Sequence, residues 1–177
     1  MKVTLTHDGK SVELDLTAEQ MSALGLKEEK KKTGYERGEF NNLYFTVPST
    51  GDVTGFCDHR TSFDNLRFDN ADYYSDKELA EVNARADRLM RQLRRFAAEN
   101  GGIPSVEDWN NHKKQKYNIA YCYRKDNDHY GLFVGRWAVV QFQGSVFFDS
   151  EEAATRAIEK FHDELIWYFT EYEAMLR

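Results

Sequence analysis

The stretch YYSDKELA at residues 73–80 decides the predicted fold, because FFDSEEAA at residues 147–154 repeats its pattern. Each stretch places a pair of aromatic residues directly before residues that favour the start of a helix. Aromatic residues suit the half-buried, pleated surface of a strand. Both stretches therefore predict the same corner, in which a strand ends and a long helix begins.

A helix over residues 76–99 follows the first corner. Ser75 is its predicted N-cap and Glu78 stands three positions on, which forms a capping box. Asn100-Gly101-Gly102 favours the end of this helix, and Pro104 prevents its continuation. Its apolar stripe recurs at spacings of three and four and comprises Leu79, Val82, Ala86, Leu89, Leu93 and Phe96.

A second long helix is predicted over residues 151–174. Asp149 and Ser150 are candidate capping residues, and Glu151 and Glu152 suit the positive end of the helix dipole. Its aromatic stripe follows helical spacing, which predicts a buried core face or a dimer seam. The stripe comprises Phe161, Leu165, Tyr168, Phe169 and Tyr172.

The similarity of the two corners extends upstream at a constant, ungapped offset of 74 residues. Similar sheet-and-helix segments can look alike because the same physics shapes both, but a constant register of aromatic residues favours a true internal duplication. The matched positions are Tyr35 with Trp109, residues 43–47 with 117–121, Phe56 with Tyr130, Phe63 with Trp137, Phe68 with Phe142, Glu78 with Glu152 and Ala80 with Ala154.

Strand and turn signals complete the two modules. In the first module, residues 43–47 and 53–56 are predicted strands, and residues 58–74 are a predicted loop with a short third strand. In the second, Trp109 precedes a polar stretch to Gln115, and Asp126-Asn127-Asp128 is a predicted turn. The predicted strands of this module are residues 117–123, 132–134 and 137–140, and residues 146–148 lead into the second long helix.

The N-terminal residues 1–33 lie outside the repeat. Alternating apolar residues flank Asp8-Gly9, which is a strong signal for a tight hairpin turn. Thr17 is a predicted N-cap for a short helix over residues 18–24, which ends at Gly25, and residues 27–32 are a predicted charged linker.

The sequence thus predicts an α+β protein with an N-terminal hairpin and short helix over residues 1–33. Two tandem strand–strand–helix modules follow over residues 34–103 and 104–177, each with an optional third strand, and antiparallel sheets pack on two long helices. A module of this size is marginal alone, so two copies gain by sharing a core.

The composition narrows the function classes. The 177 residues carry 30 acidic and 24 basic side chains, a net charge of −6, which disfavours attraction of the whole protein to nucleic acid. The two cysteines do not form a secreted disulfide framework. The N-terminal residues lack the apolar core of a signal peptide, and the longest apolar runs are too short for a membrane span. We therefore expect action in the cytoplasm.

The repeated elements resemble a module of phage and prophage accessory proteins from low-GC Gram-positive bacteria. In this sequence they are Tyr35, residues 43–45, Gly51-Asp52-Val53 and residues 73–80, followed in the second half by Asp108-Trp109-Asn110-Asn111, residues 116–119 and 146–153. The resemblance covers roughly residues 34–170 and rests on structural motifs. It implies a phage accessory role in the host cytoplasm, and some such proteins are anti-CRISPR proteins that inhibit the type II effector Cas9.

A row of arginines on the first helix is one candidate partner-binding surface. At about 100° per residue, Arg85, Arg88, Arg91 and Arg95 fall opposite the apolar stripe. Such a row can bind phosphates or carboxylates in a bidentate manner, or can simply be a solvated helix face.

Acidic residues form the other candidate partner-binding set. Asp64, Asp69 and Asp72 crowd one region, and Glu151 and Glu152 belong to another. Acidic rows can imitate the phosphates of DNA, although acids at helix starts also favour the helix dipole.

Enzyme and metal chemistry have weaker support. Cys57-Asp58-His59 is a compact trio, but with Cys122 as the only other thiol its spacing fits no structural zinc class. The histidines lack a recognisable catalytic setting, and we predict no catalytic residues, cofactor or metal.

Three functional hypotheses follow. The first is a phage-type accessory protein that inhibits Cas9, or the Cas9–guide RNA complex, by protein–protein contact, with its oligomeric state open. The second is a nucleic-acid-binding protein that uses the arginine row. The third is a metal-dependent nuclease that uses the acidic region around Asp64.

Overall fold

The computed structural model describes residues 2–25, 32–125 and 128–175, and shows a mixed α+β protein. The chain divides into two compact units, Met1–Glu36 and Arg37–Arg177. The second unit contains both predicted modules apart from residues 34–36. None of the helices in the described ranges has the length and apolar character that crossing a bilayer requires.

The first unit confirms the predicted hairpin. Strands β1 (Lys2–His7) and β2 (Lys10–Asp15) pair in antiparallel fashion. Asp8 and Gly9 join them with φ values of 47° and 75°, the left-handed pair that a tight hairpin turn needs. Helix α1 (Ala18–Ala23) follows, and residues 27–31 of the predicted charged linker lie outside the described residues.

Thr17 caps α1 as predicted. The backbone N–H of Gln20 donates to Thr17 Oγ1 at 3.3 Å, and the Thr17 N–H donates to Gln20 Oε1 at 2.9 Å. These reciprocal bonds satisfy two of the backbone donors that a helix start leaves unpaired.

The second unit begins with a small sheet of β3 (Leu43–Thr46) and β4 (Thr54–Cys57), paired antiparallel. Tyr74 adds an isolated antiparallel bridge to Phe45, where a short third strand was expected. The predicted loop after β4 is wrong in one respect, because helix α2 (Ser62–Asp69) lies within it. Thr61 and Asp64 cap this helix reciprocally, which stabilises its first turn.

Helix α3 (Lys77–Glu99) is the predicted first long helix, but its N-cap is Asp76 and not Ser75. The Asp76 carboxylate accepts the N–H of Leu79 at 3.0 Å. Because the cap lies one residue later than predicted, Glu78 stands at the second helical position, and the predicted capping box does not form. The helix ends at Asn100, before Gly101 and Gly102, which have φ values of 122° and 106°.

The second module starts with a short helix, α4 (Val106–Asn110), which ends where the predicted polar stretch after Trp109 begins. Strands β5 (Lys116–Arg124), β6 (His129–Trp137) and β7 (Phe147–Phe148) form an antiparallel sheet in the order β6-β5-β7. The two strands predicted at 132–134 and 137–140 are wrong as separate elements, because β6 is one strand that ends at Trp137. Of the predicted turn at 126–128, only Asp128 lies within the described residues.

The second long helix is interrupted where a continuous helix over 151–174 was predicted. Its segments are α5 (Glu151–Lys160), α6 (His162–Trp167), a π-helical turn (Tyr168–Tyr172) and α7 (Glu173–Met175). The first break lies at Phe161, which has φ −114° and ψ 22° and packs edge-to-face on Phe96 of α3 at 5.7 Å between ring centroids. Phe161 therefore leaves the helical conformation at the point where its ring packs against α3.

The core of the second unit lies between α3, α5 and the β6-β5-β7 sheet. The buried residues are Leu89, Leu93, Phe96, Ala97, Phe148, Ala153, Ala154, Ala157 and Leu165. Phe161, Tyr168 and Phe169 pack against them, so most of the predicted aromatic stripe belongs to this core. The Tyr172 hydroxyl donates to Asn83 Oδ1 of α3 at 2.7 Å.

The 74-residue repeat holds at the corners and fails between them. Asp76 and Ser150 are both N-caps, and Ala80 and Ala154 are both fully buried. Phe63, by contrast, lies in α2, whereas its predicted equivalent Trp137 ends a strand. The predicted pairing of Phe68 with Phe142 fails in the same way, since Phe68 is helical and Phe142 lies in a loop.

Candidate functional site

Helix α2 is inverted with respect to an ordinary surface helix. The residue that it buries is an acid, Asp64, with 5% of its surface exposed. Its apolar residues Phe63 and Leu66 are 72% and 56% exposed. A buried polar group and a patch of large exposed apolar side chains are the two burial features that most often carry information about function.

Four donors hold Asp64 in place. The Tyr44 hydroxyl donates to Oδ1 at 2.7 Å, and Oδ2 accepts the N–H groups of His59 and Thr61 at 3.1 and 2.9 Å. The Thr61 hydroxyl donates to Oδ2 at 2.8 Å. These bonds, led by that from Tyr44, lower the pKa of Asp64, so the buried carboxylate stays ionised near neutral pH.

A second carboxylate, Asp58, lies fully buried at the end of β4. Arg37 binds it through Nε and Nη2 at 2.8 and 3.0 Å, which is a bidentate ion pair. The Arg60 N–H and the Tyr73 hydroxyl donate to it at 2.9 and 3.1 Å. The pKa of Asp58 lies well below its ordinary 3.8, chiefly because of the Arg37 hydrogen bonds.

Two stacked tyrosines join these carboxylates. The rings of Tyr44 and Tyr73 lie 4.1 Å apart and 9° from parallel. Tyr44 donates to Asp64 and accepts from Arg67 Nη1 at 2.8 Å, while Tyr73 donates to Asp58. Burial raises the pKa of both tyrosines. The result is one connected polar core that fixes β3, β4 and α2 together.

The exposed side of this region carries what we call the apolar surface, defined as Phe40, Phe56, Phe63 and Leu66. Phe63 lies three residues before Leu66 and four before Arg67, so the three share one face of α2. The Arg67 guanidinium lies 4.0 Å from the ring centroid of Phe56, which brings β4 next to this face. Phe40, 65% exposed, packs against the ring of His59 at 5.9 Å, beside the N-terminus of α2.

The predicted arginine row is divided by the structure. Arg85 donates two hydrogen bonds to Glu164, at 2.9 and 3.0 Å, and its guanidinium lies 3.8 Å from the ring centroid of Trp167. Arg88 donates to the carbonyl oxygen of Gly51 at 3.1 Å. These two arginines therefore hold other segments of the unit against α3 and do not present a free guanidinium row.

The remainder of the row is exposed. Arg91 faces solvent, and Arg95 forms an ion pair with Glu99 one helical turn on, at 3.4 Å. An exposed pair of this kind contributes little to stability and leaves the guanidinium accessible.

The predicted acidic sets are also divided. Asp64 is buried, and Asp72 accepts from the Thr46 hydroxyl at 2.6 Å and from the Val47 N–H at 2.7 Å. Asp69 is exposed at the last residue of α2. Of these three predicted contact residues, Asp64 and Asp72 thus accept hydrogen bonds from the protein itself, which corrects the expectation of an open acidic row.

The second predicted acidic pair lies at the start of α5. Glu151 pairs with Arg136 of β6 at 2.6 Å, while Glu152 is exposed. Within the described ranges, no three or more His, Cys, Asp or Glu side chains converge as a metal site would need. Cys57 and Cys122 are both free, exposed thiols.

Sequence reasoning missed the residues that define this region. Phe40, Phe63 and Leu66 were not singled out as partner-binding residues, and Asp58 was considered only as a metal ligand. One local signal was available, because Thr61 followed by Asp64 is a capping pattern that predicts a helix start at Ser62. The tyrosine–carboxylate network itself joins residues up to 36 positions apart, from Arg37 to Tyr73, and has no local signature.

Comparisons of the chain with protein-family models, curated proteins and solved structures gave no match. The resemblance to phage accessory proteins therefore stays a prediction from the motifs alone. What the geometry offers is a rigid, charged network beneath an exposed apolar surface.

Proposed function

We propose that this protein acts by binding another macromolecule through the apolar surface, without catalysis. Its partner is Cas9 or the Cas9–guide RNA complex, which it inhibits by protein–protein contact as a phage accessory protein in the host cytoplasm. The observation that carries the binding role is the inversion of α2, which buries Asp64 and exposes Phe63 and Leu66. The choice of partner rests on the family resemblance.

The energetics favour an interface at this position. Full burial of a Phe or Leu side chain contributes about 1.5–3 kcal/mol each, and the fold leaves most of that unused at Phe63 and Leu66. Aromatic and arginine side chains are enriched at the centres of protein interfaces. Arg67, held over Phe56, supplies the arginine of such a centre.

The polar core beneath the surface adds preorganisation. Asp64 fixes the first turn of α2, and Asp58 fixes the segment that leads into it through Arg37 and Arg60. A surface that is already ordered loses less conformational entropy on binding, so more of its contact energy appears as affinity.

A second candidate is contact with nucleic acid through the exposed part of the arginine row. Arg91 and Arg95 favour it because both are exposed on the same helix. For the nuclease hypothesis, Asp64 and Asp72 accept hydrogen bonds from the protein itself, which leaves Asp69 as the exposed carboxylate of the acidic loop.

The decisive experiment titrates the wild-type protein against Cas9–guide RNA complex, and separately against naked DNA and RNA, over a range of salt concentrations. We expect saturable binding to the complex that persists as salt rises, because apolar contacts are not screened. No binding to the complex at low salt overturns Cas9 as the partner. Tighter binding to naked nucleic acid, with a steep loss in salt, supports the second candidate.

Matched variants then locate the surface. Phe63→Gln combined with Leu66→Gln should weaken binding by about tenfold or more, while the free energy of unfolding changes by less than about 0.5 kcal/mol. Val106→Gln, at an apolar residue that is 77% exposed on α4, is the control and should bind as wild type. Arg91→Glu with Arg95→Glu should leave binding to the complex unchanged and abolish any binding to nucleic acid.

A further inference from the structure

A cavity of about 140 Å³ lies within the second unit, and the apolar surface contributes no residue to its lining. Leu89 and Leu93 of α3 form one wall, and Ile119 of β5 and Phe148 of β7 form another. Leu165 of α6 also lines the cavity. The cavity therefore sits where the elements of the core meet, and most of the residues that line it are apolar.

The π-helical turn forms the next wall. Tyr168 and Phe169, its first two residues, both line the cavity. A π-helical turn is less stable than the α-helix it interrupts, and such turns are frequent at functional sites. Here the turn lies at the cavity and brings two consecutive aromatic side chains to its lining.

The mouth of the cavity has a different character from its walls. It is formed by the loop segment Gln143, Gly144, Ser145 and Val146, in which the first three residues are exposed. Gly144 has φ +79°, a left-handed conformation that turns the chain at this point. The loop supplies backbone and side-chain polar groups to the lining of the cavity.

Size and charge limit what can bind. An apolar cavity of roughly 150 Å³ holds one benzene-sized molecule. None of the described residues that line this cavity is charged, so an ionised group inside it would lose hydration without a compensating partner. The aromatic rings of Phe148, Tyr168 and Phe169 favour an aromatic guest through edge-to-face and offset contacts.

We propose that this cavity binds one small neutral aromatic molecule with a single polar group, of the phenol or indole class. The ring packs between α3, β5 and the π-helical turn, and the polar group lies at the mouth, beside residues 143–145. This site is independent of the proposed partner, because none of its lining residues belongs to the apolar surface.

The test uses the full chain and records methyl and amide NMR spectra during titration with phenol and with indole. We expect saturable shifts at the methyl groups of Leu89, Leu93, Ile119 and Leu165. We also expect the thermal midpoint to rise with ligand concentration, because a ligand that binds only the folded state stabilises it. Benzenesulfonate is the charged control and should cause no saturable shift at these methyl groups.

Two variants alter the cavity in opposite directions. Leu93→Phe fills it and should weaken binding of either probe by about tenfold or more, whereas Leu93→Ala enlarges it and should retain binding of indole. If Leu93→Phe does not fold, the comparison of Leu93→Ala with wild type still tests the site. The proposal is overturned if the wild type shows no saturable shifts at millimolar probe. It is also overturned if the shifts survive in Leu93→Phe, or if benzenesulfonate binds as well as phenol.

Discussion

The two modules share a corner but fill their interiors differently. In the second, Leu132 and Val134 of β6 pack with Phe148 against an apolar core. In the first, the position 74 residues before Leu132 is Asp58, which is fully buried and paired with Arg37. The comparison shows that the same strand-to-helix corner can adjoin either an apolar interior or a satisfied polar network.

The register of the strands differs as well. Tyr74 bridges Phe45, whereas its counterpart Phe148 pairs with Tyr117. The two aromatic residues are 74 positions apart in the sequence, but their strand partners, Phe45 and Tyr117, are only 72 positions apart. The second hairpin is also longer, with nine residues in each strand against four in β3 and β4. At the 74-residue offset, helix α2 corresponds to residues 136–143 of the second module, which are the end of β6 and the loop that follows it.

The largest expected effect comes from truncating the corner itself. Phe148→Ala should lower the free energy of unfolding by about 3–5 kcal/mol, because the side chain is fully buried within the apolar core. Tyr74→Ala, its counterpart in the first module, should cost less, since Tyr74 lies outside that core. Urea denaturation followed by circular dichroism measures both. Equal losses would contradict the view that the two interiors differ.

The next effect tests the polar interior. Asp58→Asn should destabilise the protein by about 3 kcal/mol, because it leaves the mostly buried Arg37 without its counter-charge. Asp69→Asn, at an exposed carboxylate of α2, is the matched control and should change stability by less than about 0.5 kcal/mol. If both substitutions behave alike in chemical denaturation, the network does not stabilise the first module.

Low pH should destabilise the first module through protonation of Asp58. The pKa of Asp58 is lowered in the folded state, so its stabilising contribution is complete above the unfolded value of 3.8 and is lost as pH falls below it. Asp64 contributes with the same sign. For each carboxylate the slope is at most about 1.4 kcal/mol per pH unit.

Denaturation at a series of pH values between 5 and 2 measures this slope, and Asp58→Asn should make it shallower. Glu36 and Asp108, whose pKa values lie at about 2, titrate in both proteins and supply the background. An unchanged slope in the variant would assign acid sensitivity to those residues instead.

The smallest expected effect comes from adding a methyl group at a glycine in each of the two hairpins. A Cβ at Gly135 would lie 2.4 Å from Asn118 Oδ1 and 2.7 Å from Trp137 Nε1, two atoms joined by a 2.9 Å hydrogen bond. Gly135→Ala should therefore cost about 1–2 kcal/mol. A Cβ at Gly55 would meet the exposed Leu43 at 3.3 Å, and that side chain can move. Gly55→Ala should cost less by thermal denaturation, and the reverse order would refute the packing argument.

Much of the secondary structure was predictable because its signals are local. The Asp8-Gly9 turn, the Thr17 cap and the strand at residues 43–46 follow from residues within a few positions of one another. The α+β class followed from these elements and from the two helix starts. Helix α2 was also locally encoded, by Thr61 and Asp64, but the weak periodicity of this polar and aromatic segment favoured a loop.

The candidate site was hardly predictable. Phe63 matched Trp137 in the repeat and was read as scaffold, yet it is among the most exposed apolar residues described. Arg85 and Arg88 were read as a free row because helical periodicity places them opposite the apolar stripe. Periodicity cannot show that Glu164 and the carbonyl of Gly51 come to meet them.

The sequence by itself determined the Asp8-Gly9 turn, the starts of α1 and α5, and the presence of two similar strand-to-helix corners 74 residues apart, because caps, turns and alternation act over a few residues. Only the tertiary structure decided which charges are buried and which aromatic residues are exposed. Those outcomes depend on contacts between distant residues, such as Arg37 with Asp58 and Tyr44 with Asp64, whose free energies come from desolvation and hydrogen bonding in a shared interior.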